Sequence, residues 1–190
     1  MDKTAIIVIA VVILVLVIGG LVLMQRRRTE KLQSSFGPEY DRAVRETGDK
    51  RKAEAELQER QRRVEKLQIR PLDANQRERF TNEWQRVQAE FVDAPENSIR
   101  DADILLQDVM CARGYPVKNF DQVAADISVD HPAVVEHFRT AHDIALRHTH
   151  GEGDTEDLRN AMINYRKLFD ELVENRGAAD QDHPTAEDRT

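Results

Sequence analysis

The longest apolar segment of the chain is uninterrupted. Residues Ala5–Met24 read AIIVIAVVILVLVIGGLVLM, twenty residues without a charged side chain. A helix of that length rises about 30 Å, the thickness of the hydrocarbon core of a bilayer. A lone segment in lipid satisfies its backbone hydrogen bonds only as a helix. A cleaved signal peptide would have a shorter apolar stretch and a small-residue cleavage site, so the pattern predicts an uncleaved transmembrane anchor.

Beyond this segment, apolar positions recur at spacings of three and four residues and never alternate as they would in a strand. Gly37-Pro38 breaks a juxtamembrane helix after Phe36, Asp73 and Gln76 form a capping-box pattern, and Gly114 is placed to end a helix. Further helices are predicted to begin at Pro38, Asp49, Asp73, Pro95, Phe120 and Pro132, and the last carries the apolar positions from Leu158 to Val173.

The predicted fold class is all-α, with a single N-terminal transmembrane helix followed by a charged juxtamembrane helix and a compact helical bundle. The aromatic residues expected to anchor the core are Phe80, Trp84, Phe91, Phe138, Tyr165 and Phe169. The predicted organisation is a transmembrane anchor over 1–25, a basic, charged juxtamembrane helical linker over 26–70, an acidic α-helical bundle domain over 71–175 and a disordered tail over 176–190.

The segment Asp49–Gln68 is the most polar of the predicted helices, since twelve of its twenty residues are charged. Its apolar stripe consists of Ala53, Leu57, Val64 and Leu67 and is thin. We favour a solvated helix stabilised by intrahelical ion pairs. A short coiled coil with a partner or a second copy of the chain is the alternative.

Charge is unevenly distributed along the chain. Residues 26–70 contain 14 Lys and Arg against 9 Asp and Glu, net +5, whereas residues 71–190 contain 13 against 25, net −12. The membrane-proximal basic cluster, which comprises Arg26, Arg27, Arg28 and Lys31, outweighs Lys3 on the other side of the apolar run. By the positive-inside rule, the C-terminal domain is predicted to be cytoplasmic, with the basic stretch near anionic lipid. The acidic surplus argues against a nucleic-acid partner.

Candidate chemistry centres on the histidines, five of which lie between His131 and His150. His137 and His142 are five residues apart, so they point about 140° apart on a helix and cannot share a metal through one face. His148 and His150 are weak candidate metal ligands, and no metal or cofactor site is assigned. The single cysteine, Cys111, is predicted to be a buried, inert thiol. No catalytic or phosphate-binding motif is present in the sequence, so an enzyme is not predicted.

Five strings in the chain form a recognisable set. They are Phe36-Gly37-Pro38-Glu39-Tyr40-Asp41-Arg42, Glu46-Thr47-Gly48-Asp49, Ile69-Arg70-Pro71-Leu72, Arg113-Gly114-Tyr115-Pro116 and Ser128-Val129-Asp130-His131-Pro132. Together they resemble a family of bacterial single-pass membrane, or secreted, helical proteins of unknown function. The resemblance implies a bacterial membrane location and supplies no activity, cofactor or catalytic residue.

These patterns predict a single-pass protein of the bacterial inner membrane that acts as a helical interaction or scaffold protein with a cytoplasmic acidic domain. Its expected partners are the membrane, which it spans once, and a protein partner or a second copy of itself. The alternative is a membrane-tethered sensor that binds a ligand or metal through the region His131–His150.

Overall fold

The computed structural model describes residues 3–174, excepting the side chains of residues 3–12, 14, 15, 21 and 22. Within this range the chain forms eight α-helices and no strand, which confirms the all-α class. The predicted tail over 176–190 lies outside the described residues. The helices are α1 (Lys3–Phe36), α2 (Pro38–Thr47), α3 (Lys50–Val64), α4 (Ala74–Glu90), α5 (Pro95–Arg113), α6 (Phe120–Asp130), α7 (Val135–Thr149) and α8 (Thr155–Glu174).

Several helix ends follow from local side-chain chemistry. Asp73 caps α4 in a complete capping box, since its carboxylate accepts from the Gln76 N–H and the Gln76 side chain accepts from the Asp73 N–H. Gly114 closes α5 in the left-handed region, with φ 100°. Asp154 caps α8 by accepting from the Asp157 N–H at 2.9 Å. The ends at Asp73 and Gly114 confirm the predictions made from the capping box and from glycine.

Two predicted helix boundaries were wrong. α3 ends at Val64 rather than Gln68, because the Lys66 and Leu67 N–H groups bond three residues back and tighten the chain into a turn. α7 begins at Val135 rather than Pro132, because the His131 carbonyl accepts from the Val134 N–H in a turn that precedes the helix. In both places a turn competes successfully with one more turn of α-helix.

The chain divides into two compact units, Met1–Gln58 and Glu59–Thr190. In the first unit, Glu54 on α3 ties the helices together: its Oε1 accepts from the Thr29 hydroxyl on α1 at 2.7 Å and from the Tyr40 hydroxyl on α2 at 2.9 Å. The buried apolar side chains of this unit are Leu32, Phe36, Tyr40, Ala43, Ala53 and Leu57.

The prediction that the helix after Asp49 is solvated was wrong for one of its faces. Ala53, Leu57 and Val64, three of the four residues of the thin apolar stripe, are buried. Self-association through this helix stays a prediction. Among the residues whose side chains the structure describes, which leave out twelve of the twenty in the run Ala5–Met24, no helix combines the length and the apolar content that a membrane crossing requires.

The second unit is a helical bundle in which α8 packs against α4, α5 and α7. Trp84 stacks on Phe169 with ring centroids 4.6 Å apart, and Phe138 lies against Tyr165. Of the predicted aromatic anchors, Phe91 is only partly buried. The fully buried large side chains of this unit are Phe80, Ile99, Leu106, Val109, Met110, Ile127, Leu158, Tyr165, Leu168 and Leu172.

The link from α3 to α4 crosses directly over the end of α5. The Arg70 N–H donates to the Arg113 carbonyl at 2.9 Å. At Gly114 an added Cβ would lie 2.5 Å from the Gln68 carbonyl oxygen, so only glycine allows this close approach. The crossing fixes the C-terminal end of α5, where the polar side chains of the second unit gather.

Candidate functional site

The membrane-proximal basic cluster lies on α1, directly after the apolar run. The side chains of Arg26, Arg27, Arg28 and Lys31 are all exposed. On one side of this stretch, α1 and the first turn of α3 enclose an open polar cleft of about 840 Å³. The residues lining this cleft, called here the juxtamembrane cleft because it follows the predicted anchor, are Gln25, Arg26, Thr29, Glu30 and Gln33 from α1 and Asp49, Lys50, Arg51 and Glu54 from α3.

Two of the carboxylates in the juxtamembrane cleft hold its walls in place. Asp49 accepts from the Arg51 N–H at 2.8 Å and so caps α3. Glu54 accepts from Thr29 and Tyr40, and the Lys50 ammonium lies 4.0 Å from its Oε1. Burial, followed by the neighbouring Glu54, raises the pKa of Tyr40 to about 12, so the phenol remains a proton donor. The walls of the cleft are therefore held in place by specific hydrogen bonds to Asp49 and Glu54.

In the second unit, a group of polar side chains gathers where α5, α6 and α8 end. The Arg113 guanidinium donates from Nη1 to the Leu172 carbonyl at 2.8 Å. The Tyr115 hydroxyl donates to Asp130 at 2.7 Å, and His131 Nδ1 lies 2.9 Å from Glu171 Oε1. We call this group the polar junction; its members are Arg113, Tyr115, Asp126, Asp130, His131 and Glu171.

Asp126 is the most deeply buried charge of the polar junction, with a side chain that is 0% exposed. Its Oδ1 accepts from Arg63 Nε and Nη2, each at 2.7 Å, and from the Gln122 amide at 3.0 Å. Three buried side-chain atoms of the polar junction have no hydrogen-bond partner among the described residues: Asp126 Oδ2, Arg113 Nε and His131 Nε2. Breaking the contact between Arg63 and Asp126 would leave an uncompensated buried carboxylate, which is strongly destabilising.

The electrostatics of the junction keep His131 neutral. Burial lowers the pKa of His131, and the nearby Arg113 lowers it further, against the raising effect of the bond to Glu171. The neutral ring therefore donates from Nδ1 to Glu171, which leaves Nε2 unprotonated. Burial also raises the pKa of Tyr115, with Asp130 acting in the same direction, so its hydroxyl stays protonated.

Three of the strings on which the resemblance rests meet at this junction. Arg113–Pro116 and Ser128–Pro132 supply Arg113, Tyr115, Asp130 and His131. Ile69–Leu72 supplies the chain that crosses α5 and bonds to the Arg113 carbonyl. Because Arg113, Asp126 and His131 are buried, the geometry favours a tie between helices over a surface that receives a substrate.

The other histidines of the described residues lie apart from the junction's bonds. His137 Nδ1 is 2.8 Å from Asn164 Oδ1, and His142 stacks on Phe120 at 3.6 Å. His148 pairs with Glu96 at 3.1 Å, and His150 is exposed at the end of α7. Across residues 3–174, no group of three or more His, Cys, Asp or Glu side chains is arranged to hold a metal ion.

The prediction of a buried thiol at Cys111 was wrong, since this residue is exposed on α5. It lies one position past Met110, which is buried in the core, and one helical step of 100° turns it to the outer face of α5.

On the same outer face of α5 lie Asp101, Ile104 and Asp108, all exposed. We call Asp101, Ile104 and Asp108 the outer stripe of α5.

Sequence reasoning missed two sets of residues. It found the cations of α1 but not Lys50 and Arg51, which the first turn of α3 brings to the same cleft. It also missed the pairing of Arg63 with Asp126, which are 63 positions apart.

No family model, curated protein or solved structure matches the chain.

Proposed function

We propose that the chain is a single-pass protein of the bacterial inner membrane that presents a cytoplasmic acidic helical domain to a protein partner and performs no catalysis of its own. The observation that carries the proposal is the apolar run Ala5–Met24 followed at once by the membrane-proximal basic cluster. This run lies within α1, a helix of 34 residues. A helical apolar segment with cations on one flank is the arrangement expected of an anchor with a cytoplasmic C-terminal side.

The outer stripe of α5 supports the interaction role. Ile104 is 56% exposed and lies between Asp101 and Asp108, which are three positions before it and four after it. Such spacing puts the three side chains on one face of the helix. An apolar contact with carboxylates on both sides fits a partner whose surface places basic groups around an apolar pocket, because complementary charge directs association.

The topology can be tested with Cys111, which is the only cysteine in the chain and is exposed. In intact spheroplasts, a membrane-impermeant maleimide should not label the wild-type protein and should label it after lysis. A matched variant that combines Cys111→Ser with Asp2→Cys should show the opposite, because the N-terminus is expected outside. Labelling of Cys111 in unbroken cells would refute the cytoplasmic assignment, and recovery of the chain in the soluble fraction would refute the anchor.

The partner surface can be tested by site-specific photocrosslinking in native membranes. A photoreactive amino acid at Ile104 should yield one discrete adduct. The same amino acid at Ile163, which is 50% exposed on α8, serves as the control and should not yield that adduct. Exchanging Asp101 and Asp108 for Asn should abolish the adduct at 104. Equal adducts from both positions, or none from either, would count against a partner at the outer stripe.

A further inference from the structure

The juxtamembrane cleft begins where the apolar run ends. Met24 is the last residue of that run, and Gln25, Arg26 and Thr29 line the cleft. Five helical residues rise about 7 Å, and the headgroup layer adds about 5–7 Å on each side of the hydrocarbon core. With the apolar run in the bilayer, the α1 wall from Gln25 to Thr29 therefore lies at the depth of lipid headgroups.

The first turn of α3 brings two further cations to this depth. Lys50 and Arg51 line the same cleft as Arg26, although they are more than twenty positions away in sequence. The bonds from Thr29 and Tyr40 to Glu54 connect α3 to α1 and α2. The cations of α3 are thus held beside α1 by a buried carboxylate, which makes the cleft preformed.

The lining of the cleft carries three cations, Arg26, Lys50 and Arg51, and three acids, Glu30, Asp49 and Glu54, whereas the two segments that supply the lining are positive overall. The segments 25–33 and 49–54 together contain seven Lys and Arg and three Asp and Glu. Two of the three acids, Asp49 and Glu54, already accept hydrogen bonds within the fold. Arg and Lys donors are well suited to phosphate oxygens, and a cleft of about 840 Å³ is large enough for a small polar group.

We propose that the juxtamembrane cleft binds the phosphate-bearing headgroup of an anionic phospholipid. The cations that contact the phosphate are Arg26 from α1 and Lys50 and Arg51 from α3. This assignment rests on the proposed membrane anchor, because the anchor is what places the cleft at headgroup depth. It differs from a general attraction of basic residues to an anionic leaflet, since it requires the particular cations that line the cleft.

The test compares neighbouring cations on one helical segment. Lys50→Gln and Arg51→Gln remove cations that line the cleft, whereas Lys52→Gln removes an exposed cation that does not line it. The full chain in detergent micelles is titrated with phosphatidylglycerol or phosphatidylcholine, and bound lipid is counted by native mass spectrometry. We expect wild type to prefer phosphatidylglycerol, each cleft substitution to weaken its retention about fivefold, and Lys52→Gln to weaken it less than about twofold.

Two results would overturn the proposal. Equal losses in all three variants would mean diffuse attraction without a site. Displacement of the lipid by a large molar excess of inorganic phosphate would mean that the cleft takes water-borne phosphate and not a headgroup. The maleimide experiment at Cys111 tests the anchor separately, so a chain that inserts correctly but shows no cleft-specific retention would refute only the headgroup assignment.

Discussion

Gly114 allows the crossing of α5 by the link that follows α3, and its replacement by alanine tests that crossing. The new Cβ would lie 2.5 Å from the Gln68 carbonyl oxygen and 3.2 Å from its carbon. Nonbonded heavy atoms attract best at about 3.5–4.0 Å, so the crossing backbone would have to move by about 1 Å. Gly151 provides a matched control, because it also has a positive φ, 78°, but an added Cβ there meets nothing within 4 Å.

The expected magnitudes separate the two substitutions. Both Gly114→Ala and Gly151→Ala place alanine in the left-handed region, which destabilises the folded state by about 1–2 kcal/mol. Alanine also reduces the conformational entropy of the unfolded chain, and this offsets about 0.4–1 kcal/mol of that loss. Gly114→Ala adds overpacking of about 1–3 kcal/mol and loss of the bond from the Arg70 N–H to the Arg113 carbonyl, about 1 kcal/mol. We therefore expect a loss of about 3–5 kcal/mol at Gly114 and about 1 kcal/mol at Gly151.

The assay is urea unfolding of the full chain in micelles, followed by fluorescence. Trp84 is the only tryptophan and is buried in the second unit, so its emission reports the unfolding of that unit alone. Free energies come from linear extrapolation, provided that the urea dependence is the same in both variants. Losses at Gly114 and Gly151 that agree within about 0.5 kcal/mol would refute the claim that the crossing makes glycine necessary.

Three further predictions concern single contacts. Because burial lowers the pKa of His131, the unfolded chain binds a proton first as pH falls below about 6.5, so the free energy of unfolding decreases there. His131→Gln should make the free energy of unfolding depend less on pH, as measured by urea titrations between pH 5 and 7. Parallel plots of this free energy against pH for the variant and the wild type would contradict the prediction. Tyr165→Phe removes the bond to Asp103 and should cost about 1–1.5 kcal/mol in the same assay; an unchanged midpoint would show that the bond adds nothing. Asp73→Ala removes the capping box of α4 and should cost about 1 kcal/mol, whereas Asp73→Asn should retain most of the stability.

Much of the fold could be read from local patterns. Helix starts at Asp73 and Pro95 and the end at Gly114 were predicted correctly because caps, proline and glycine act on backbone groups within a few positions of themselves. The two boundaries that were wrong, at Val64 and Val135, are places where a local turn replaces a helical turn and the apolar spacing alone does not distinguish them.

The candidate sites were predicted less completely, for a different reason. The cations of α1 are adjacent in sequence and were found, but Lys50 and Arg51 reach the same cleft only because the chain reverses through α2. Likewise, Cys111 was predicted to be buried because it lies beside the apolar stripe of α5 and free cysteines are usually buried, yet one helical step past Met110 turns it to solvent.

The sequence by itself determined the helical class, the apolar run Ala5–Met24 and the change from basic to acidic charge, because each depends on composition or on spacing along a few turns. The tertiary structure alone decided that Asp126 would be buried and bonded to Arg63, and that three separate strings would meet at the polar junction. The physical reason is that burial and pairing depend on which helix faces come together. That choice is made by contacts between residues far apart in the chain, which no local pattern encodes.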